Sequence, residues 1–349
     1  MRKFLFGLLF GLLLLGLGLL VLLHGRGPYA YPGERALSDT DRLIQREFDI
    51  RTIALEDSYD GPAVATLLHR PADSARGRAV LYLHGYGDYF FQRHLARWYN
   101  DHGFDFYALD LRRYGRSWLP HQQPNYVRDL SEYYEEIDRA IAAIRVDRPG
   151  TFLLLNGHST GGLIASLYCH EGGRRAEVDA LFLNSPFLDF NASWPMEQAI
   201  RFFAWLGRWQ PRSVVSGGGE SVYTKTLHED FYGRWDFNTN WKPLHSFPVT
   251  LGWLRAIEQG HAAVEDRLDI ACPILVLHSD RSTFSDDDIE AMQRSDAVLD
   301  VREIRDRAPW LGEDVKVVAI PGAVHDIFLS EPQVLHRAYE ELEQWLEGE

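Results

Sequence analysis

Apolar and polar positions alternate along this chain with more than one period. Residues 4–23, "FLFGLLFGLLLLGLGLLVLL", hold no charged side chain over twenty positions. As a helix they would cover about 30 Å, the thickness of a bilayer's hydrocarbon core. A stretch rich in Gly, Pro and charge follows, of the kind that links rather than packs. Extended patterns come next at 48–56 and 62–69, and then a short apolar run, "AVLYLH", at 79–84. From there the chain alternates. Helical periodicity near 91–102, 129–146 and 160–170 separates the short apolar runs "FDFYALD" (104–110), "TFLLLN" (151–156) and "ALFLN" (180–184). After a long interruption, "PILVLH" (273–278), a helix near 300–311, "VKVVAI" (315–320) and a helix from about 332 resume it. Apolar runs of four to eight residues between helices predict strands covered on both faces. The alternation predicts βαβ units, hence a mostly parallel sheet flanked by helices, an α/β fold.

The interruption, 190–265, is aromatic: Trp194, Trp205, Trp209, Trp235, Trp241 and Trp253 are six of the ten tryptophans. The expected domain plan is an N-terminal segment 1–27, a linker 28–44, a core 45–189 and 266–349, and a helical, aromatic-rich cap at 190–265. Arg2 and Lys3 precede the apolar segment, which suits either an uncleaved membrane anchor or a signal peptide. The absence of a small-residue cleavage site after it favours a single-pass anchor, with the bulk of the chain outside the cytoplasm.

Apolar residues make up 46% and charged residues 25% of the chain, a composition that supports a large core. The net charge of −14, without a basic run, offers nothing for nucleic acid to bind. Cys169 and Cys272 have no metal-ligand spacing and are expected as small core side chains. Neither metal nor cofactor is expected.

Candidate chemistry begins at "NGHSTGG" (156–162), where Gly157-x-Ser159-x-Gly161 joins a predicted strand to a predicted helix. A serine on so tight a turn needs neighbours without side chains, and the turn presents its hydroxyl above the sheet at a helix N-terminus. That makes Ser159 the candidate nucleophile. "LHGYGDY" (83–89) ends an earlier strand, where a loop can aim backbone N–H groups at a developing oxyanion; Tyr86 and Thr160 are the candidate donors. His84 and His158 are expected to be structural.

"LYLHGYGDY", "ALDLRRYGRSWLP", "NGHSTGG" and "IPGAVHDIFLS" together resemble the α/β-hydrolase superfamily, in the branch of monoacylglycerol lipases, lysophospholipases and serine aminopeptidases. The resemblance runs over about residues 45–349. It implies an α/β-hydrolase fold and a Ser-His-Asp serine hydrolase acting on a small hydrophobic ester or lipid. Arg113-Tyr114 departs from the Gly-His usual in that branch. His325, in a glycine-bearing turn after the last strand, is the expected base. The acid should lie after the strand 273–278, where residues 278–296 hold five aspartates. "RSDAVLDVREIRDRA" (294–308) matches the branch's acid motif, which implies Asp296, with Asp280 as the alternative and 281–295 as an insertion within the loop. Asp286, Asp287, Asp288 and Asp300 are expected at helix N-termini. Two other readings stand beside the esterase. An aminopeptidase would aim a carboxylate such as Glu197, Glu220, Glu229 or Asp236 at a substrate amine, and a membrane-anchored binding protein would keep the fold without the chemistry.

Overall fold

The computed structural model describes residues 37–216 and 218–348. Its helices are α1 (Asp39–Glu47), α2 (Arg93–Asp101), α3 (Tyr134–Asp147), α4 (Thr160–Glu171), α5 (Trp194–Leu206), α6 (Val222–Leu227), α7 (Leu251–Glu265), α8 (Ile289–Met292), α9 (Val301–Arg307) and α10 (Pro332–Gly348). The strands are β1 (Asp49–Ala54), β2 (Val64–Arg70), β3 (Arg78–Leu83), β4 (Phe104–Asp110), β5 (Phe152–His158), β6 (Ala180–Asn184), β7 (Val214–Ser216), β8 (Val249–Thr250), β9 (Ile274–Ser279) and β10 (Val315–Ile320).

Eight strands form one sheet in the order β1-β2-β4-β3-β5-β6-β9-β10, and β7 and β8 make a separate pair. β2 runs antiparallel to both β1 and β4, whereas every pairing from β4 to β10 is parallel. The central strands read as unbroken apolar runs because helices cover both faces. Odd positions such as Leu81, Leu83, Leu153 and Leu155 enter one buried layer with Ile137 and Ile141 of α3 and Leu163 of α4. Even positions such as Val80, Tyr82 and Leu154 enter the other, with Ile44 of α1, Leu95 of α2 and Leu342 of α10. Each fully buried side chain of this size contributes about 1.5–3 kcal/mol.

Two expectations change. Residues 39–44, read as linker, belong to α1, where the Ser38 side chain accepts the Asp41 N–H and Ile44 is wholly buried. A single apolar turn is too short for periodicity to reveal. The membrane-spanning helix expected at 4–23 lies outside the described residues, and among the described residues no helix is long and apolar enough to cross a membrane. The expectation of a single-pass membrane protein with an extracytoplasmic domain is therefore withdrawn.

Candidate active site

Parallel strands deliver their C-terminal ends to one edge of the sheet, and this is where the candidate residues gather. Ser159 sits between β5 and α4 at φ 54° and ψ −119°. The motif's glycines allow that turn. A Cβ on Gly157 would meet Gly161 O at 2.6 Å, and one on Gly161 would meet Leu83 O at 2.6 Å. The turn is held to the neighbouring strand by the Ser159 N–H, which donates to Asn184 O at 3.0 Å.

His325, in the loop after β10, has its Nε2 2.9 Å from Ser159 Oγ and its Nδ1 2.8 Å from Asp296 Oδ2. With Nδ1–H donating to the carboxylate, Nε2 is the acceptor facing the serine. The other oxygen of Asp296 accepts the N–H groups of Val298 and Leu299, each at 2.8 Å. Asp296 is fully buried. The structure thus brings Ser159, His325 and Asp296 into one hydrogen-bonded chain.

Asp280 lies apart from that chain. It accepts the Gly322 N–H at 2.9 Å and pairs with Arg281. Partial burial opposes its charge, but those two partners hold its carboxyl below the ordinary range. Between the two aspartates the chain makes an excursion and returns, closed by Asp296 N–H to Arg281 O at 3.0 Å and Thr283 N–H to Asp296 O at 2.9 Å. Asp288 caps α8 and Asp300 caps α9. Asp286 instead lines the cavity beside the site.

That cavity, about 550 Å³, is lined by Ser159 and His325, by Tyr86 and Thr160, and by the apolar side chains of Phe187, Phe190, Phe247 and Trp253. Of the six tryptophans of 190–265, Trp253 alone lines it. Trp235 donates its indole N–H to Leu329 O, and Trp241 packs on Tyr89. Trp194, Trp205 and Trp209 remain 68%, 48% and 57% exposed, so the aromatic content of this segment is only partly devoted to the cavity.

His84 Nδ1–H donates to Gly85 O at 2.8 Å and its Nε2 accepts the Leu111 N–H at 3.1 Å, which ties the loop after β3 to the loop after β4. His158 donates from Nδ1 to Asn184 O at 3.2 Å and its ring lies 5.0 Å from that of His325. Burial lowers the proton affinity of both. Arg113 is fully buried at φ 67° and pairs with Asp60 at 2.8 Å, so this departure from the usual Gly-His is absorbed by a dedicated ion pair.

The carboxylates that an aminopeptidase would need are dispersed. Glu220 lines the cavity but is paired with Lys225, Glu229 is exposed, Glu197 borders a separate hollow, and Asp236 accepts the Thr40 N–H. Sequence reasoning missed a different set. Asp88 and Lys242 form a buried ion pair at 2.9 Å in the cavity wall. Asn184, Asp326 and Tyr223 surround the His325 loop. Only Asp326, next to His325 in sequence, offered a local clue.

A monoacylglycerol lipase from Mycolicibacterium smegmatis is 27% identical over 267 residues, spanning 75% of this chain and 85% of its own. A soluble variant of monoglyceride lipase from Saccharomyces cerevisiae, solved with a substrate analogue, superimposes with a TM-score of 0.60 at 17% identity, covering 92% of this chain and 99% of its own. A monoacylglycerol lipase from Paleococcus ferrophilus gives 0.59 at 21% identity over 80% of this chain and 98% of its own. These structures share the α/β-hydrolase fold. The profile of the family described as serine aminopeptidase, S33, matches residues 74–333, far more than half of the sequence. The chain is therefore a member of that hydrolase family, within the α/β-hydrolases.

Proposed function

We propose that the protein is a serine hydrolase that cleaves carboxylic esters of a hydrophobic, lipid-like substrate through an acyl-enzyme. The observation that carries this reading is the Asp296–His325–Ser159 hydrogen-bonded chain, whose Ser159 and His325 open on a cavity that Phe187, Phe190, Phe247 and Trp253 help to line. Ser159 Oγ attacks the ester carbonyl as His325 Nε2 takes its proton. Asp296 fixes the Nδ1–H tautomer and stabilises the imidazolium. The backbone N–H groups of Tyr86 and Thr160 hold the oxyanion, a term worth about 2.7–4 kcal/mol per donor. His325 then protonates the leaving alcohol, and water repeats the sequence on the acyl-enzyme.

The names of the similar lipases from M. smegmatis, S. cerevisiae and P. ferrophilus support an acylglycerol-like ester as substrate. The ester reading is preferred over amide hydrolysis because, of the four carboxylates an aminopeptidase was expected to use, only Glu220 lines the cavity and it is paired with Lys225.

The test is covalent labelling by a fluorophosphonate, with turnover of p-nitrophenyl esters of increasing chain length. Ser159→Ala should lose both labelling and hydrolysis. Medium chains should exceed acetate, since each buried methylene contributes about 0.8 kcal/mol. Wild-type turnover by Ser159→Ala would refute the mechanism, and faster cleavage of aminoacyl amides than of any ester would favour the peptidase.

A further inference from the structure

Ser159 and His325 stand on loops that follow β5 and β10, strands separated in the sheet by β6 and β9. Proton transfer between them depends on holding two distant loops to within a few tenths of an ångström. Asn184, the last residue of β6, bonds to both. Its carbonyl accepts the Ser159 N–H at 3.0 Å and the His158 Nδ1–H at 3.2 Å, on the nucleophile's side. Its side-chain amide turns to the other loop, where Nδ2 donates to Asp326 Oδ1 at 2.8 Å and Oδ1 accepts the Ile327 N–H at 3.2 Å.

Asp326 directly follows His325 and is 1% exposed. A carboxylate so deeply buried is costly unless its oxygens are satisfied. Here they are. Besides Asn184, Oδ1 accepts the Phe328 N–H at 3.2 Å, and Oδ2 accepts Gln92 Nε2–H at 2.9 Å. Burial alone would raise its proton affinity, but His158, Gln92, Asn184 and Lys242 outweigh it and keep the group below the usual carboxylate range. The Asp326 N–H donates to the Tyr223 hydroxyl at 3.1 Å, which adds a contact from α6. Neither Asn184 nor Asp326 lines the cavity.

We propose that Asn184 and Asp326 are positioning residues that clamp the His325 loop to the Ser159 turn and set the distance across which the proton moves. The role rests on Ser159 and His325 acting as nucleophile and base. Because the clamp lies behind the site, it governs the rate of the chemical step and leaves substrate binding alone.

Asn184→Leu keeps the bulk of the side chain and removes the amide. With the thermal midpoint and circular dichroism confirming a folded chain, kcat on a p-nitrophenyl ester should fall about 100-fold, the scale of a small misplacement of reacting groups. KM should stay within about threefold, and the rate of fluorophosphonate labelling should fall with kcat. A folded Asn184→Leu with kcat within about twofold of wild type, or with a loss confined to KM, would overturn the proposal.

If Asn184→Leu does not fold, Asp326→Asn decides, because it turns an acceptor into a donor facing Gln92 Nε2. A loss of about tenfold in kcat should follow, recovered to within about threefold by adding Gln92→Glu, which restores a donor–acceptor match. No loss in Asp326→Asn, or a loss that Gln92→Glu leaves in place, would also overturn it. Failure of the wild-type protein itself to label or to hydrolyse any ester would instead remove the hydrolase reading beneath the clamp.

Discussion

Ser159 holds a backbone conformation that L-residues rarely adopt, at φ 54°. Such a position costs about 1–3 kcal/mol and persists only where its surroundings enforce it. Here the close approach of Gly157 to Gly161, and of Gly161 to the end of β3, supplies the enforcement. The same residue scale decides between the two candidate acids. Asp296→Asn should lower kcat by about 10⁴, because it would upset the tautomer at His325 Nδ1, 2.8 Å away. Asp280→Asn should cost less than about tenfold, since Asp280 only braces Gly322 and Arg281. Steady-state kinetics on a soluble ester with both variants folded checks this. A crippled Asp280→Asn beside a near-normal Asp296→Asn would transfer the acid's role to Asp280.

At the scale of elements, the segment between β6 and β9 is fastened to the loops that carry the chemistry. Lys242 reaches Asp88, two residues beyond Tyr86, and the Tyr86 hydroxyl donates to Pro248 O at 3.1 Å. Both members of the ion pair are buried, and the second oxygen of Asp88 has no hydrogen-bond partner. Removing only the cation therefore strands a buried carboxylate, which typically costs 3–5 kcal/mol, whereas removing both charges is far milder. Lys242→Met should destabilise by about that amount, with Asp88→Asn/Lys242→Met recovering most of it. Urea unfolding of the two variants reads the difference. Equal destabilisation would mean that Asp88 contributes through contacts other than Lys242.

For the whole molecule, acid is the condition that strains the core most directly. Burial holds His261 neutral and drives its pKa down to about 4 from 6.5, although Asp189 and its bond to Phe187 O pull the other way. The unfolded chain takes up that proton near 6.5 and the folded chain does not until about 4, so this histidine withdraws stability as pH falls through that window. Above 6.5 the cost is absent. Glu136, held up to about 7 by burial against the pull of Arg112, acts in the opposite sense as pH rises from 4.5, so absolute melting curves mix the two. The comparison that isolates His261 is wild type against His261→Gln, a side chain that can still donate to Phe187 O at the site of the present 2.9 Å bond. Thermal melts should show wild type losing ground to the variant as pH drops from 6.5 towards 4. A pH-independent gap would mean that His261 takes up its proton in the fold as readily as in the unfolded chain.

What the sequence by itself determined was the local and the crowded. Runs such as "TFLLLN" are unbroken because both faces of β5 are covered, and the glycines around Ser159 are there because a Cβ has no room. Helix α1 escaped notice because its burial rests on one turn, and the segment at 4–23 lies outside the described residues. The motif at 294–308 pointed to Asp296 with Asp280 as the alternative, and the tertiary structure decided between them, because the excursion from one to the other closes on itself and leaves Asp296 against His325. It also decided the pairing of Asn184 with Asp326 across 142 positions and of Lys242 with Asp88 across 154. Periodicity records which face of an element is buried; contacts between loops of distant strands arise only when the sheet has assembled.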